Sequence, residues 1–301
     1  MFICRCNASA AAARWARSIN DCVTERVLGL RRTSGLSAIF LLLTNVTQQG
    51  QGPLAVNRLT QAGVSVERQP AVPSRMINFG DARSKLTKPA FLMWVVNHPK
   101  FQFVWYMEDD TFFTGNWASL LADARWGNAD IVARRVSFPN NSGWARYFAG
   151  PRCKVHGMTC LKRTDTTVDY VRQVWWPLLR LSNMLATVLF KSLNQGSASG
   201  HHEILTDQVC RTQAGEWCEY KGFEDKDLGK YELAGWGNYT CQTAAKCLMP
   251  SLASLKKRFA QSENRLYHPI KCVYEQANDK KWQQVLRLNQ LKAATGRLHR
   301  F

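Results

Sequence analysis

Three consecutive carboxylates, Glu108, Asp109 and Asp110, stop an apolar run, Phe103-Val104-Trp105-Tyr106-Met107. Like charges this close repel, and taking them out of water is costly unless positive charge joins them. Carboxylates gathered at the end of a buried strand attract a hard divalent cation. Magnesium or manganese prefers such oxygen ligands and completes its shell with substrate phosphates. A site of this kind holds a diphosphate and neutralises the charge that develops as it leaves. The competing reading is an acidic turn on the surface, and the buried strand before the triplet together with "TFFTGNW" after it favours the metal.

The second chemically rich stretch is "HHEILTDQVC", residues 201–210. Glu203 and Asp207 are four apart, so on a helix they share a face. Carboxylates also favour helix N-termini for electrostatic reasons alone. His201 and His202 read either as lining for a substrate pocket or as surface-loop histidines.

These residues need elements to position them. "SAIFLLLTN" (37–45) and "FQFVWYM" (101–107) are short, continuous apolar runs, as expected of buried strands, and "VSVERQ" (64–69) reads as another strand. "GPLAVNRLTQAG" (52–63) predicts a helix closed by Gly63, and "SKLTKPAFLMWVVNHP" (84–99) one framed by Pro89 and Pro99. "NWASLLADARW" (116–126) reads as a helix and "ADIVARRV" (129–136) as a strand. The alternation predicts an α/β fold with a mixed, mostly parallel sheet flanked by helices. Ligands of such sheets bind at the carboxyl ends of the strands, where the triplet sits. Further on, residues 168–190 read as a helix, 194–200 as a loop, 201–213 as a helix start, and 273–301 as a basic, helical tail.

The chain of 301 residues is 46% hydrophobic and carries 11 Trp and 14 Phe, which excludes global disorder. Its formal net charge of +18 favours anionic partners, without choosing among nucleic acid, membrane surface and phosphorylated small molecules. The ten cysteines include no CxxC pair, so a structural zinc site is poorly supported. The spacings 153/160, 210/218 and 241/247 suit short disulfide loops in an oxidising compartment. Sequons at Asn7, Asn45, Asn140 and Asn238 point the same way, so the expected location is the Golgi or ER lumen of a eukaryote. The longest aliphatic run, 38–43, is too short to span a bilayer, and Arg residues interrupt the apolar start, which does not read as a signal peptide.

"WYMEDDTFFTGNW" resembles the DxD region of GT-A fold glycosyltransferases, in which an acidic motif ends a strand of a Rossmann-related nucleotide-binding sheet. The resemblance extends from the basic stretch "DARSKLTKPAFLMW" (81–94) to "RLYHPIKC" (265–272), covering roughly residues 37–272. It implies a hexosyl- or pentosyltransferase using Mn2+ or Mg2+ and a nucleotide-sugar donor, a UDP-sugar before a GDP-sugar. Asp110 matches the motif's direct metal ligand. Glu108 matches the first acidic position, facing the ribose or a metal-bound water, where the strict motif has Asp. Asp109 lies between them. His268 matches the late metal ligand, and Lys271 and Lys85 the contacts to the nucleotide diphosphate. Glu203 resembles the base that takes the acceptor proton in inverting enzymes, with Asp207 in reserve.

The expected organisation is an N-terminal Ala/Arg-rich segment (1–35), a catalytic domain (36–272) and the basic tail (273–301). The expected partners are a nucleotide sugar and a glycan, protein or lipid acceptor, with peripheral membrane association through the basic surface and no nucleic acid. Two other classes use the same residues. A metal-dependent hydrolase could gather Asp109, Asp110, His201, His202, Glu203 and His268 around two metals, although no HxH, DxH or HExxH spacing occurs. A basic glycan- or nucleic-acid-binding protein would leave the triplet structural, and no nucleic-acid motif supports it.

Overall fold

A computed structural model describes residues 2–4, 13–43, 53–79, 87–108, 111–113, 115–139, 153–160, 170–212, 217–223, 232–234 and 265–267. The chain divides into two compact units. One comprises Arg68–Met107 and Trp126–Leu228, the other Phe2–Glu67, Glu108–Arg125 and Gly229–Phe301.

In the second of these, strands β1 (Phe2–Cys4), β2 (Ile39–Leu43) and β3 (Val64–Arg68) lie side by side in that order, with β1 and β2 parallel. Helices α1 (Ala13–Thr33) and α2 (Pro53–Gln61) connect them. The Ala/Arg-rich segment expected at 1–35 thus contains a short strand ahead of its helix. Gly63 ends α2 with φ of 76°, a left-handed cap conformation that costs Gly least. Arg31 of α1 secures that corner by donating to the carbonyls of Ala62 and Leu36.

The other unit is built on four strands in the order β13 (Tyr220–Gly222), β6 (Ile131–Ala133), β11 (Leu178–Ser182) and β4 (Phe103–Glu108, of which Glu108 falls in the other unit). β11 is antiparallel to both of its neighbours, while β6 and β13 are parallel, so β4, β6 and β13 run one way and β11 alone is reversed. This is a mixed α/β sheet with most strands running in one direction. Every residue of β11 is buried, in keeping with its three leucines. Of its two polar residues, Arg180 donates to the carbonyls of Trp126, Gly127 and Ala129 and lies over the Phe103 ring at 4.3 Å. Desolvation lowers the pKa of this guanidinium from its ordinary value to about 10, with Asp130 and Glu219 opposing the shift, so it stays charged at neutral pH.

Helix α3 (Thr87–Val96) packs on β4 through Phe91 and Tyr106, whose ring centroids are 4.9 Å apart. Pro89 falls in its first turn, where a missing N–H is tolerated. Helix α5 (Asn183–Asn194) packs against α3, and helix α6 (His202–Thr212) against α5. The remaining helix, α4 (Trp117–Leu121), belongs to the other unit, where the Asn116 side chain caps it by accepting from Ala118 and Ser119 N–H. Among the described residues no helix is long and apolar enough to cross a membrane.

The stretch 168–190 is not one helix. Strand β10 (Tyr170–Val174) precedes a turn at Trp176-Pro177, β11 follows, and α5 starts only at Asn183. Pro177 removes a donor and pushes the preceding residue out of helical backbone, while Ser182 accepts from Leu185 N–H as the true N-cap. The strand expected at 129–136 is also two, β6 and β7 (Arg135–Pro139), the latter pairing antiparallel with β10. The tail 273–301 lies outside the described residues.

Candidate functional site

Of the acidic triplet, Glu108 is described, and Asp109 and Asp110 lie outside the described residues, as do Lys85, His268 and Lys271. Glu108 ends β4 half-buried, and its carbonyl accepts from Thr111 N–H at 3.1 Å. Strand β5 (Phe112–Phe113) follows at once and pairs antiparallel with β15 (Arg265–Tyr267), which in turn pairs in parallel with β14 (Glu232–Ala234). The register sets Phe112 opposite Tyr267 and Phe113 opposite Leu266. Phe113 and Leu266 are buried, and Phe113 meets the edge of Trp117 at 5.2 Å. The ladder thus joins two stretches whose paired residues are 153 and 155 positions apart in the chain, each next to residues singled out in the sequence.

The second constellation lies in the other unit. Strands β8 (Lys154–Val155) and β9 (Met158–Thr159) form a hairpin closed by the disulfide Cys153–Cys160, and β12 (Ala198–Ser199) pairs with β8. Gly200 then passes so close to Cys153 that a Cβ there would sit 2.8 Å from the Cys153 Cα, and its φ is 139°. Only glycine fits both constraints. This corner delivers His201 just before α6, where its carbonyl accepts from Leu205 N–H at 2.9 Å. Glu203 sits in the first turn, where a carboxylate complements the helix dipole. A second disulfide, Cys210–Cys218, ties down the far end of α6. Both observed disulfides match the expected spacings, and Cys241 and Cys247 lie outside the described residues.

Glu203 and Asp207 are one turn apart and both are buried, yet their surroundings differ. Asp207 accepts from Arg211 Nε at 2.8 Å and faces Arg135 Nε at 3.5 Å. Arg135 in turn lies over the Tyr220 ring at 3.5 Å. Asp207 is therefore held in an ion-pair network. Glu203 accepts instead from the side-chain amide of Gln173 on β10, and its Oε2 lies 3.8 Å from His201 Nδ1. His202 is buried rather than displayed on a loop. It meets Trp176 edge-to-face at 5.2 Å and Phe79 at 6.1 Å, with the His201 ring 4.2 Å away. Trp176 donates to Thr206 Oγ1 at 3.1 Å, and Thr206 donates to the His202 carbonyl at 2.6 Å. The indole is thereby fixed against the start of the helix.

Behind Trp176 stands Tyr106 of β4 at 5.4 Å, whose hydroxyl accepts from the buried Lys88 at 2.8 Å. Sequence reasoning missed Gln173, Trp176 and Lys88. For Trp176 the dipeptide Trp-Pro gave a signal. For Gln173, a lone amide within an apolar stretch, there was none.

No protein-family model matches the sequence, and no curated protein matches it. Among solved structures, the chain is similar to mouse xyloside xylosyltransferase 1 in its apo form, at 10% identity and a TM-score of 0.45, over 89% of this chain and 96% of that one. It is also similar to the apo bifunctional glycosyltransferase WbbM, at 13% identity and a TM-score of 0.48, over 96% of this chain and 51% of that one. This chain thus spans about half the length of WbbM. A putative glucose-1-phosphate thymidylyltransferase from Bacillus anthracis is similar at 8% identity and a TM-score of 0.37, over 67% of this chain and 73% of that one. These neighbours are glycosyltransferases and a nucleotidyltransferase. Identities this low and TM-scores below 0.5 fix neither ancestry nor chemistry.

Proposed function

We propose that this chain is a GT-A-type, metal-dependent glycosyltransferase that moves a sugar from a nucleoside-diphosphate donor to an acceptor hydroxyl. The observation that carries the reading is the β5–β15 ladder. Asp110 precedes Phe112 by two residues in the sequence and His268 follows Tyr267 by one, so the two candidates flank a paired position of the ladder in the sequence. Asp110, Glu108 and His268 are the proposed ligands, two carboxylates and one imidazole, a set that suits Mn2+ or Mg2+. Asp109 is proposed to face the nucleotide, with Lys85 and Lys271 toward its diphosphate. The ion, when bound, neutralises charge on the departing diphosphate.

Glu203 is the proposed base. Its carboxylate takes the acceptor proton as the hydroxyl oxygen bonds the anomeric carbon and the bond to the diphosphate breaks, which inverts that carbon. Gln173 holds the carboxylate by donating to one of its oxygens. Asp207 is the lesser candidate because Arg135 and Arg211 already engage it.

The proposed acceptor is a glycan, protein or lipid hydroxyl, and the proposed compartment the Golgi or ER lumen, where Cys153–Cys160 and Cys210–Cys218 would form. The decisive experiment is thermal unfolding with UDP, GDP and Mn2+, alone and in pairs, followed by a donor-hydrolysis screen across nucleotide sugars. UDP and Mn2+ together should raise the midpoint more than the sum of each alone. Identical midpoints in all mixtures would remove the reading.

A further inference from the structure

We propose that His201, His202 and Glu203 form a Zn2+ site, and that its occupancy silences the transferase by taking the base out of use. The silencing rests on the function proposed above; the site itself does not. One donor atom from each of the three residues can be chosen so that all lie within 4.8 Å of one another. Such convergence is unusual for consecutive residues, because neighbours on a helix point away from each other. It arises here because His201 stands outside α6, turned by Gly200 at its φ of 139°. Two imidazoles and a carboxylate are a common donor set for zinc, leaving a fourth position for water. Bonds of about 2.0 Å in a tetrahedral shell need donors about 3.3 Å apart.

The surroundings are already ordered for this. Trp176 and Phe79 hold the His202 ring, and Gln173 holds the carboxylate, the kind of outer partner that orients metal ligands. The set shares no residue with the triplet or His268. Its chemistry differs too, since nitrogen donors favour Zn2+ over Mn2+ whereas the oxygen-rich triplet suits Mn2+. A carboxylate that coordinates Zn2+ shares its negative charge with the ion and becomes a much weaker base for the acceptor proton. Zinc should therefore slow transfer without displacing the nucleotide.

The test is calorimetric titration of Zn2+ into the intact chain with excess Mn2+ present. Expected are about one Zn2+ per chain, loss of that binding in His201→Ala, and weakening by about tenfold or more in Gln173→Leu. Asp110→Asn should keep it. Circular dichroism checks that each variant is folded; should His201→Ala not fold, Glu203→Gln serves in its place. Equal Zn2+ affinity in wild type and the folded variant overturns the site. Zinc bound there with transfer undiminished overturns the silencing, and neither result touches the manganese-dependent nucleotide binding on which the proposed function is tested.

Discussion

Phe112 stands opposite Tyr267 in the ladder between β5 and β15. The pairing aligns the stretch after the acidic triplet with the stretch before His268. Asp110→Asn should abolish manganese-dependent nucleotide binding, and His268→Ala should weaken it, with the unfolding midpoint in buffer unchanged in both. Calorimetry with UDP, with and without Mn2+, measures this. Unchanged affinity in Asp110→Asn would end the metal role of the triplet.

Glu203 and Asp207 share a helix face, and their partners separate their roles. Glu203→Gln keeps shape and reach yet cannot accept a proton as a carboxylate does, so transfer should fall by roughly a hundred- to ten-thousand-fold with donor affinity preserved. Asp207→Asn removes the counter-charge of Arg135 and Arg211 at a buried position, and should cost about 3 kcal/mol of stability. Transfer rate and urea unfolding on both variants decide the matter. A stable Asp207→Asn that transfers no sugar would move the base one turn along α6.

Much of this was legible in the sequence. The strand Phe103–Glu108 announced itself by a continuous apolar run ended by charge, and the helix His202–Thr212 by its spacing after a glycine-containing loop. Stretch 168–190 was misread because strands buried on both faces and helices buried all round look alike by periodicity. Pro177 and Ser182 held the information that separates them. Gln173 was invisible for a different reason. Its partner Glu203 is 30 residues away, and they meet only because β10 packs under α6. The two disulfides were legible because their loops are short, with separations of 7 and 8 residues.

Gly200 is where backbone geometry sets up the candidate base. An added Cβ would sit 2.8 Å from the Cys153 Cα and 3.0 Å from its Sγ, and neither the backbone nor the disulfide can swing aside as a flexible side chain would. Gly200→Ala should cost about 2 kcal/mol through overpacking and strain. It should also slow transfer, because the displaced segment carries His201 and Glu203. Urea unfolding beside transfer rate tests this, and a variant with wild-type values in both would show that the corner relaxes freely.

Arg180 supports the same sheet from within. Its guanidinium donates to three carbonyls, those of Trp126, Gly127 and Ala129, and covers the Phe103 ring. With the group lowered to about 10, the charged form is disfavoured in the folded chain, and this cost applies below pH 10 and fades above it. Removing the side chain relieves that cost but strips the Gly127 and Ala129 carbonyls of a charged donor, each worth about 1–3 kcal/mol when left unsatisfied, whereas the Trp126 carbonyl keeps the Ala129 N–H. Arg180→Met should therefore lose about 1–2 kcal/mol net, evenly across the neutral range where the charge does not change. Arg180→Lys should recover only part, because an ammonium lacks the stack of a planar guanidinium on Phe103. Urea unfolding at fixed m-value reads both variants. An Arg180→Met within about 0.5 kcal/mol of wild type would mean that water or a shifted backbone satisfies those carbonyls equally well.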